Sequence, residues 1–275
     1  MRKFGIIALI ALALTACSDD GEKKAALKLQ AAEEAFTQGN FIEAKLQLDS
    51  IKILYPKAFE ARRKGIDLMQ KVELKEQERS VVYLDSLLKI KTVDADQKKN
   101  GLILEKNAEY QTVGNYLHPS QTVEKNIRRT YLRAQVSEIG TFALTSIYCG
   151  GSYIHHRSIK VTAPDGSFAE TPASRDVYES TDLGVKSEKV DYRMGADGGV
   201  AGFIYMNKDQ NLKLEYIGSR RQVVNFSLAD RKAICQVYEL AQALSSIKQI
   251  EKEMTEANLK IRFVKKKMEQ EALGK

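Results

Sequence analysis

The chain has 275 residues, 43% of them hydrophobic and 29% charged, with a formal net charge of +7. This length suffices for one or two domains with real cores. The charge excess is modest and interspersed, and no nucleic-acid-binding motif accompanies it, which argues against a nucleic-acid partner. Cys17, Cys149 and Cys235 show no CxxC or metal-ligand spacing, so neither a metal centre nor a bound cofactor is expected.

At the N-terminus, Arg2 and Lys3 precede an apolar run from Phe4 to Leu14. The run is shorter than the roughly 20 residues of a bilayer-crossing helix, and it fits the core of an export signal with small residues at the cut. Leu14-Thr15-Ala16-Cys17 resembles the lipobox of bacterial lipoproteins, a small-residue tripeptide closed by cysteine. The resemblance implies that residues 1–16 are a cleaved signal peptide and that Cys17 is the lipid attachment site. The new amino terminus would also be acylated, the palmitate-bearing pattern of that family. Residues 17–24, with Ser18-Asp19-Asp20-Gly21-Glu22, then read as a solvated tether. Asp directly after the cysteine is the inner-membrane retention signal of enterobacterial lipoproteins, and it is absent here. Ser18-Asp19-Asp20 is also similar to the export signal of Bacteroidetes surface lipoproteins. The implied location is the outer membrane, lipid-anchored, facing the periplasm or the cell surface.

Residues 25–91 read as a helical hairpin and a long helix. Ala26, Leu29, Ala32, Ala35 and Phe36 recur at helical spacing, and Gly39-Asn40 breaks the run. Ile42, Leu46, Leu48, Ile51 and Leu54 predict a second helix that stops before Pro56. Gly39, Phe41, Ala44, Leu48, Ile51 and Pro56 fall at the spacings of one tetratricopeptide repeat, which the stretch 23–56 resembles. No further copy follows, so the array that buries a continuous core in that family is not expected. Leu74, Val81, Leu84 and Leu88 then carry a helix from residue 57 to about 91, and residues 92–128 read as a mixed connecting segment opening on a linker at 92–100.

Residues 129–226 are strand-rich. Leu132, Ala134 and Val136 alternate with polar residues, as do Val190, Tyr192 and Met194, and Leu212, Leu214 and Tyr216. Further strand-like runs are 142–149, 153–163, 200–206 and 222–226. Turns are expected at Ala163-Pro164-Asp165-Gly166, at 195–199 and at 208–211. These short runs predict an antiparallel β-sandwich or barrel. Ser227, with Asp230 three residues on, opens a helix over 227–271. In it Ile247, Ile250, Met254, Ala257, Ile261, Val264 and Met268 alternate by three and four, a heptad seam that needs a partner helix. The fold class is therefore α+β: an N-terminal hairpin, two long helices as an antiparallel coiled-coil-like stalk, and an inserted β-rich head.

Catalytic signatures such as GxSxG and HExxH are missing, and no catalytic residue is assigned. A Ser–His–Asp arrangement assembled across the fold stays open. His155 shares parity with Ile159 and Val161 and reads as a core histidine. Arg129, Tyr131 and Arg133 fall on one strand face, where aromatic rings beside planar cations suit sugars or carboxylates, and they are the candidate ligand-binding residues. Cys149 and Cys235 sit among apolar neighbours and read as unpaired thiols, although an oxidising envelope would permit a disulfide. The expected function is a non-enzymatic envelope lipoprotein that binds or scaffolds. The alternative is a surface glycan- or peptide-binding lipoprotein with its site on the head. The membrane, through the N-terminal lipid, and an envelope protein or glycan are the expected partners.

Overall fold

The computed structural model describes residues 5–193 and 195–274, with side chains from Asp20 onward, so the side chain of Cys17 lies outside the described residues. The helices are α1 (Gly5–Thr37), α2 (Phe41–Leu54), α3 (Phe59–Lys99), α4 (Val200–Met206) and α5 (Leu228–Leu273). The strands are β1 (Ile103–Glu105), β2 (Asn115–Leu117), β3 (Tyr131–Ser137), β4 (Phe142–Gly150) and β5 (Ser158–Thr162), then β6 (Phe168–Glu170), β7 (Val177–Asp182), β8 (Val185–Arg193), β9 (Lys213–Ile217) and β10 (Arg221–Asn225). The fold is α+β, as expected. Residues 1–86 with 251–275 form one unit, and residues 87–250 form another.

In the helical unit, α1 and α2 fold back on each other through Gly39, whose φ of +74° suits a residue without Cβ. Asn40 caps α2, its Oδ1 accepting from the Glu43 amide at 3.2 Å. The core joins Ala25, Leu29, Ala32 and Ala35 of α1 to Ala44, Leu48 and Ile51 of α2 and to Ala61, Leu68 and Val72 of α3. Small residues dominate, so the backbones approach closely; a Cβ on Gly65 would lie 3.5 Å from a Leu48 methyl. Ala25 rather than Ala26 faces inward, and the expected apolar positions Ile42, Leu46 and Leu54 are exposed.

The C-terminal part of α5 belongs to this unit, and its heptad seam is borne out. Over residues 251–270, Met254, Ala257, Ile261, Val264 and Met268 are the protected positions, and the residues between them are exposed. Gln70 Nε2 donates to Glu271 Oε2 at 2.8 Å, and Lys265 lies 3.6 Å from Glu78, so numbers fall on α5 as they rise on α3. The partner of the seam is the antiparallel helix α3.

The expected linker at 92–100 is helical up to Lys99. It holds no Gly or Pro, and Ala95 is buried in the core of the second unit. Gly101, at φ +82°, follows the helix end.

In the second unit all strand pairs are antiparallel, in sheets of order β1-β2-β3-β4-β8-β7 and β10-β9-β5-β6. Period-two alternation aims Leu132, Ala134 and Val136 of β3, Leu144 and Tyr148 of β4, and Val190 and Tyr192 of β8 into one core. They meet Ile159 and Val161 of β5, Leu214 and Tyr216 of β9, and Ile234, Val237 and Leu240 of α5. Where β2 ends, the Gln121 amide takes over the edge of β3, donating to Leu132 O and accepting from Ala134 N.

One expected strand is a helix. Residues 200–206 form α4, because Asp197 Oδ2 accepts from the Ala201 amide at 2.8 Å and Val200, Ala201 and Ile204 bury one helical face. Ser227 caps α5 as expected: its Oγ accepts from the Asp230 amide at 3.1 Å and donates to Asp230 Oδ2 at 2.7 Å. Among the described residues, no helix is long and apolar enough to cross a membrane.

Candidate functional site

Arg129, Tyr131 and Arg133 do lie together, but the protein itself engages them. Arg129 Nη1 donates to Asn126 Oδ1 at 2.7 Å, Nη2 pairs with Asp230, and its guanidinium lies 5.3 Å from the Tyr131 ring centre. Tyr131 is buried, with burial raising its phenol pKa above the ordinary range. Arg133 donates to Gln135 Oε1 at 3.2 Å along the same face of β3. Arg129, packed on Tyr131, fastens the start of β3 to the first turn of α5, while Arg133 Nε is buried without a hydrogen-bond partner among the described residues.

The histidine pair is placed differently from the expectation. Residues 153–157 are irregular rather than strand, and His155 sits at φ +52°. It is therefore His156, not His155, that enters the core. His155 is exposed, stacks on Tyr153 at 5.5 Å, and lies 2.7 Å from Glu179 Oε1 through Nδ1.

His156 joins Ser146 and Glu188 in a fully buried chain. Glu188 Oε2 accepts from His156 Nδ1 at 2.7 Å and from its amide at 2.8 Å, and Oε1 accepts from the amides of His155, at 2.9 Å, and Ile154. Because Nδ1 donates, Nε2 of the neutral ring accepts from Ser146 Oγ at 2.8 Å. This is the connectivity of a Ser–His–carboxylate triad, yet each member is closed off from solvent between the sheets. What Glu188 does is gather consecutive backbone amides of the segment that carries the chain from β4 to β5. Sequence reasoning missed Glu188 and Ser146, although each has the parity of its core neighbours: Glu188 with Val190 and Tyr192, Ser146 with Leu144 and Tyr148.

An open concave surface of this unit lies along α5. A cavity of about 580 Å³ is bounded by the β3–β4 turn at Gly140, Thr141 and Phe142, by Gly195 and Asp197, and by Tyr238, Ala241, Gln242 and Ser245 of α5. A second, of about 280 Å³, shares Tyr238 and Gln242 and continues to Tyr205 and to Lys91, Asp94 and Lys98 of α3. Tyr238 stands between them. Phe142 meets it edge-on at 5.9 Å, and Tyr205 lies tilted against it at 5.6 Å. Glycine makes the room: a Cβ on Gly202 would come within 3.1 Å of the Tyr238 hydroxyl, and one on Gly140 within 3.0 Å of Leu244 Cβ. These volumes are close to those of small-molecule sites, typically about 300–1,000 Å³. Sequence reasoning missed this surface; only its α5 side, Tyr238, Ala241, Gln242 and Ser245, shares a helical spacing, and the rest comes from distant loops.

The helical unit carries its own depression of about 400 Å³, floored by Leu48, Ile51 and Met69 and rimmed by Lys52, Arg62 and Lys267 against Asp49 and Glu73. Among the described residues, no group of three or more His, Cys, Asp or Glu could hold a metal ion. Cys149 and Cys235 are free, the Cys149 thiol donating to Ser187 Oγ at 3.6 Å and burial raising the Cys235 pKa to about 11. Comparison with protein-family models, with curated proteins and with solved structures gave no match to this chain.

Proposed function

We propose that this chain is a non-enzymatic lipoprotein of the bacterial cell envelope, held on the outer membrane by lipid on Cys17 and acting as a binding or scaffolding module. The observation that carries the binding role is the groove along Tyr238, a concave surface with an aromatic wall, lined by small and polar residues on one side of it and by charged residues of α3 and α5 on the other. It favours a head that holds a ligand over one that only spaces its neighbours. Anchoring rests on Leu14-Thr15-Ala16-Cys17, where two or three acyl chains would hold firmly at about 0.8 kcal/mol per buried methylene. The burial of Ser146, His156 and Glu188 supports a structural rather than hydrolytic use of that array.

Expression of the full chain and of Cys17→Ala in a Gram-negative host tests the anchor. The unaltered chain should pellet with membranes in high salt and partition into detergent, while the variant should be released. Membrane pelleting and mass unchanged by Cys17→Ala would remove the lipoprotein reading.

A further inference from the structure

We infer, resting on the reading of the head as a binding module, that the groove along α5 takes a chain of uncharged sugars with Tyr238 at its centre. A pyranose ring offers a face of C–H groups that packs on an aromatic side chain. Around it lies a rim of hydroxyls that need both donors and acceptors. The groove has matching parts: Tyr238 flanked by Phe142 and Tyr205 as the wall, and the Gln242 amide and the Ser245 hydroxyl beside it on α5.

Charge in the larger cavity points the same way, while the smaller one also presents Lys91 and Glu239 at its edge. Asp197 is spent on the Ala201 amide at 2.8 Å, and Lys98 on Asp94 at 2.8 Å. Gln242 and Ser245, by contrast, make no side-chain hydrogen bond among the described residues. The free polar groups along α5 in the larger cavity are thus neutral ones that donate and accept. Two cavities sharing one aromatic wall suit consecutive units of a chain rather than a single compact molecule.

A peptide fits less well. An extended peptide that adds a strand needs an open sheet edge. The strand reaching this groove is β4, which is paired on both sides, by β3 and β8. An acidic motif would call for an arginine cluster, and neither cavity is lined by arginine.

The test uses the full-length chain in detergent micelles, probed with neutral polysaccharides (dextran, mannan, xyloglucan), with polygalacturonate and heparin as charged chains, and with a random peptide library. At least one neutral glycan should bind. Tyr238→Ala should weaken that binding about tenfold or more. The exposed Gln242→Ala should weaken it severalfold without moving the melting temperature, so that loss of fold is not mistaken for loss of the site. Retention of charged chains or peptides instead, lost with Gln242→Ala, would overturn the sugar assignment and leave the binding-module reading standing. Binding of every probe unaltered by both variants, or no binding at all, would overturn both.

Discussion

Glu188 Oε2 lies 2.7 Å from His156 Nδ1, and both side chains are wholly shielded from water. A carboxylate that collects backbone amides as well as an imidazole cannot be exchanged for an amide at little cost, because the new NH₂ group would face donors. Glu188→Gln should destabilise the fold by about 3–5 kcal/mol in chemical denaturation. A loss below about 1 kcal/mol would mean that the array is not the clamp described.

Acid should weaken the same clamp. Burial holds the His156 imidazole below its usual pKa, although Glu188 pulls the other way. Burial pushes the Glu188 carboxyl up, but hydrogen bonds from His156, His155 and Ile154 outweigh it and hold it below the ordinary carboxylate range. Both groups therefore take up protons more readily in the unfolded chain. Stability is complete above about pH 6.5, falls as pH drops below the unfolded histidine value, and falls again through the depressed carboxyl range. Melting temperatures from pH 8 to 4 check this, and His156→Gln should flatten the first step. A melting temperature that rises between pH 6.5 and 5 would contradict the assignment.

The seam of α5 makes a graded prediction. Val264 is 5% exposed and its neighbour Phe263 70% exposed. Val264→Asp should cost about 3 kcal/mol or more, and the half-buried Ile261 somewhat less, whereas Phe263→Asp should stay within about 0.5 kcal/mol. Because α3 is the partner, the melting loss should not depend on protein concentration. A strong concentration dependence would make the seam an interface between copies.

Tyr216 is fully buried, and its hydroxyl has no hydrogen-bond partner among the described residues. Tyr216→Phe removes that polar atom while keeping the ring against His156, 5.1 Å away between centres. The variant should be more stable by about 1 kcal/mol. A loss of similar size would reveal a partner for the hydroxyl.

What the sequence made legible follows from which signals are periodic. The heptad seam, the Ser227 cap and the alternation of β3 and β9 are set by local spacing, and the fold keeps them. Residues 200–206 misled because Val, Phe, Ile and Tyr favour strands, while the deciding contact, Asp197 to the Ala201 amide, reads as a turn residue. His155 departs from its expected side because its positive φ breaks the two-residue period on which the facing of strand residues depends. The groove was illegible for a different reason: it joins the β3–β4 turn, the 195–197 loop and α5, which only the folded chain brings together.

The two thiols should differ in reactivity. Cys235 is buried with its pKa raised to about 11, whereas Cys149 is part-exposed on β4. Under native conditions maleimide should label Cys149 first, and a non-reducing mass map should show no link between them. Equal labelling rates, or a linked pair, would contradict this arrangement.

The measurement that bears most directly on the account is the intact mass of the chain isolated from the cells that make it. The account predicts a polypeptide starting at Cys17, heavier than residues 17–275 by a diacylglyceryl group and an amide-linked acyl chain, with the added mass confined to the N-terminal peptide. A mass equal to the unmodified chain, or a mature N-terminus at any other residue, would contradict it.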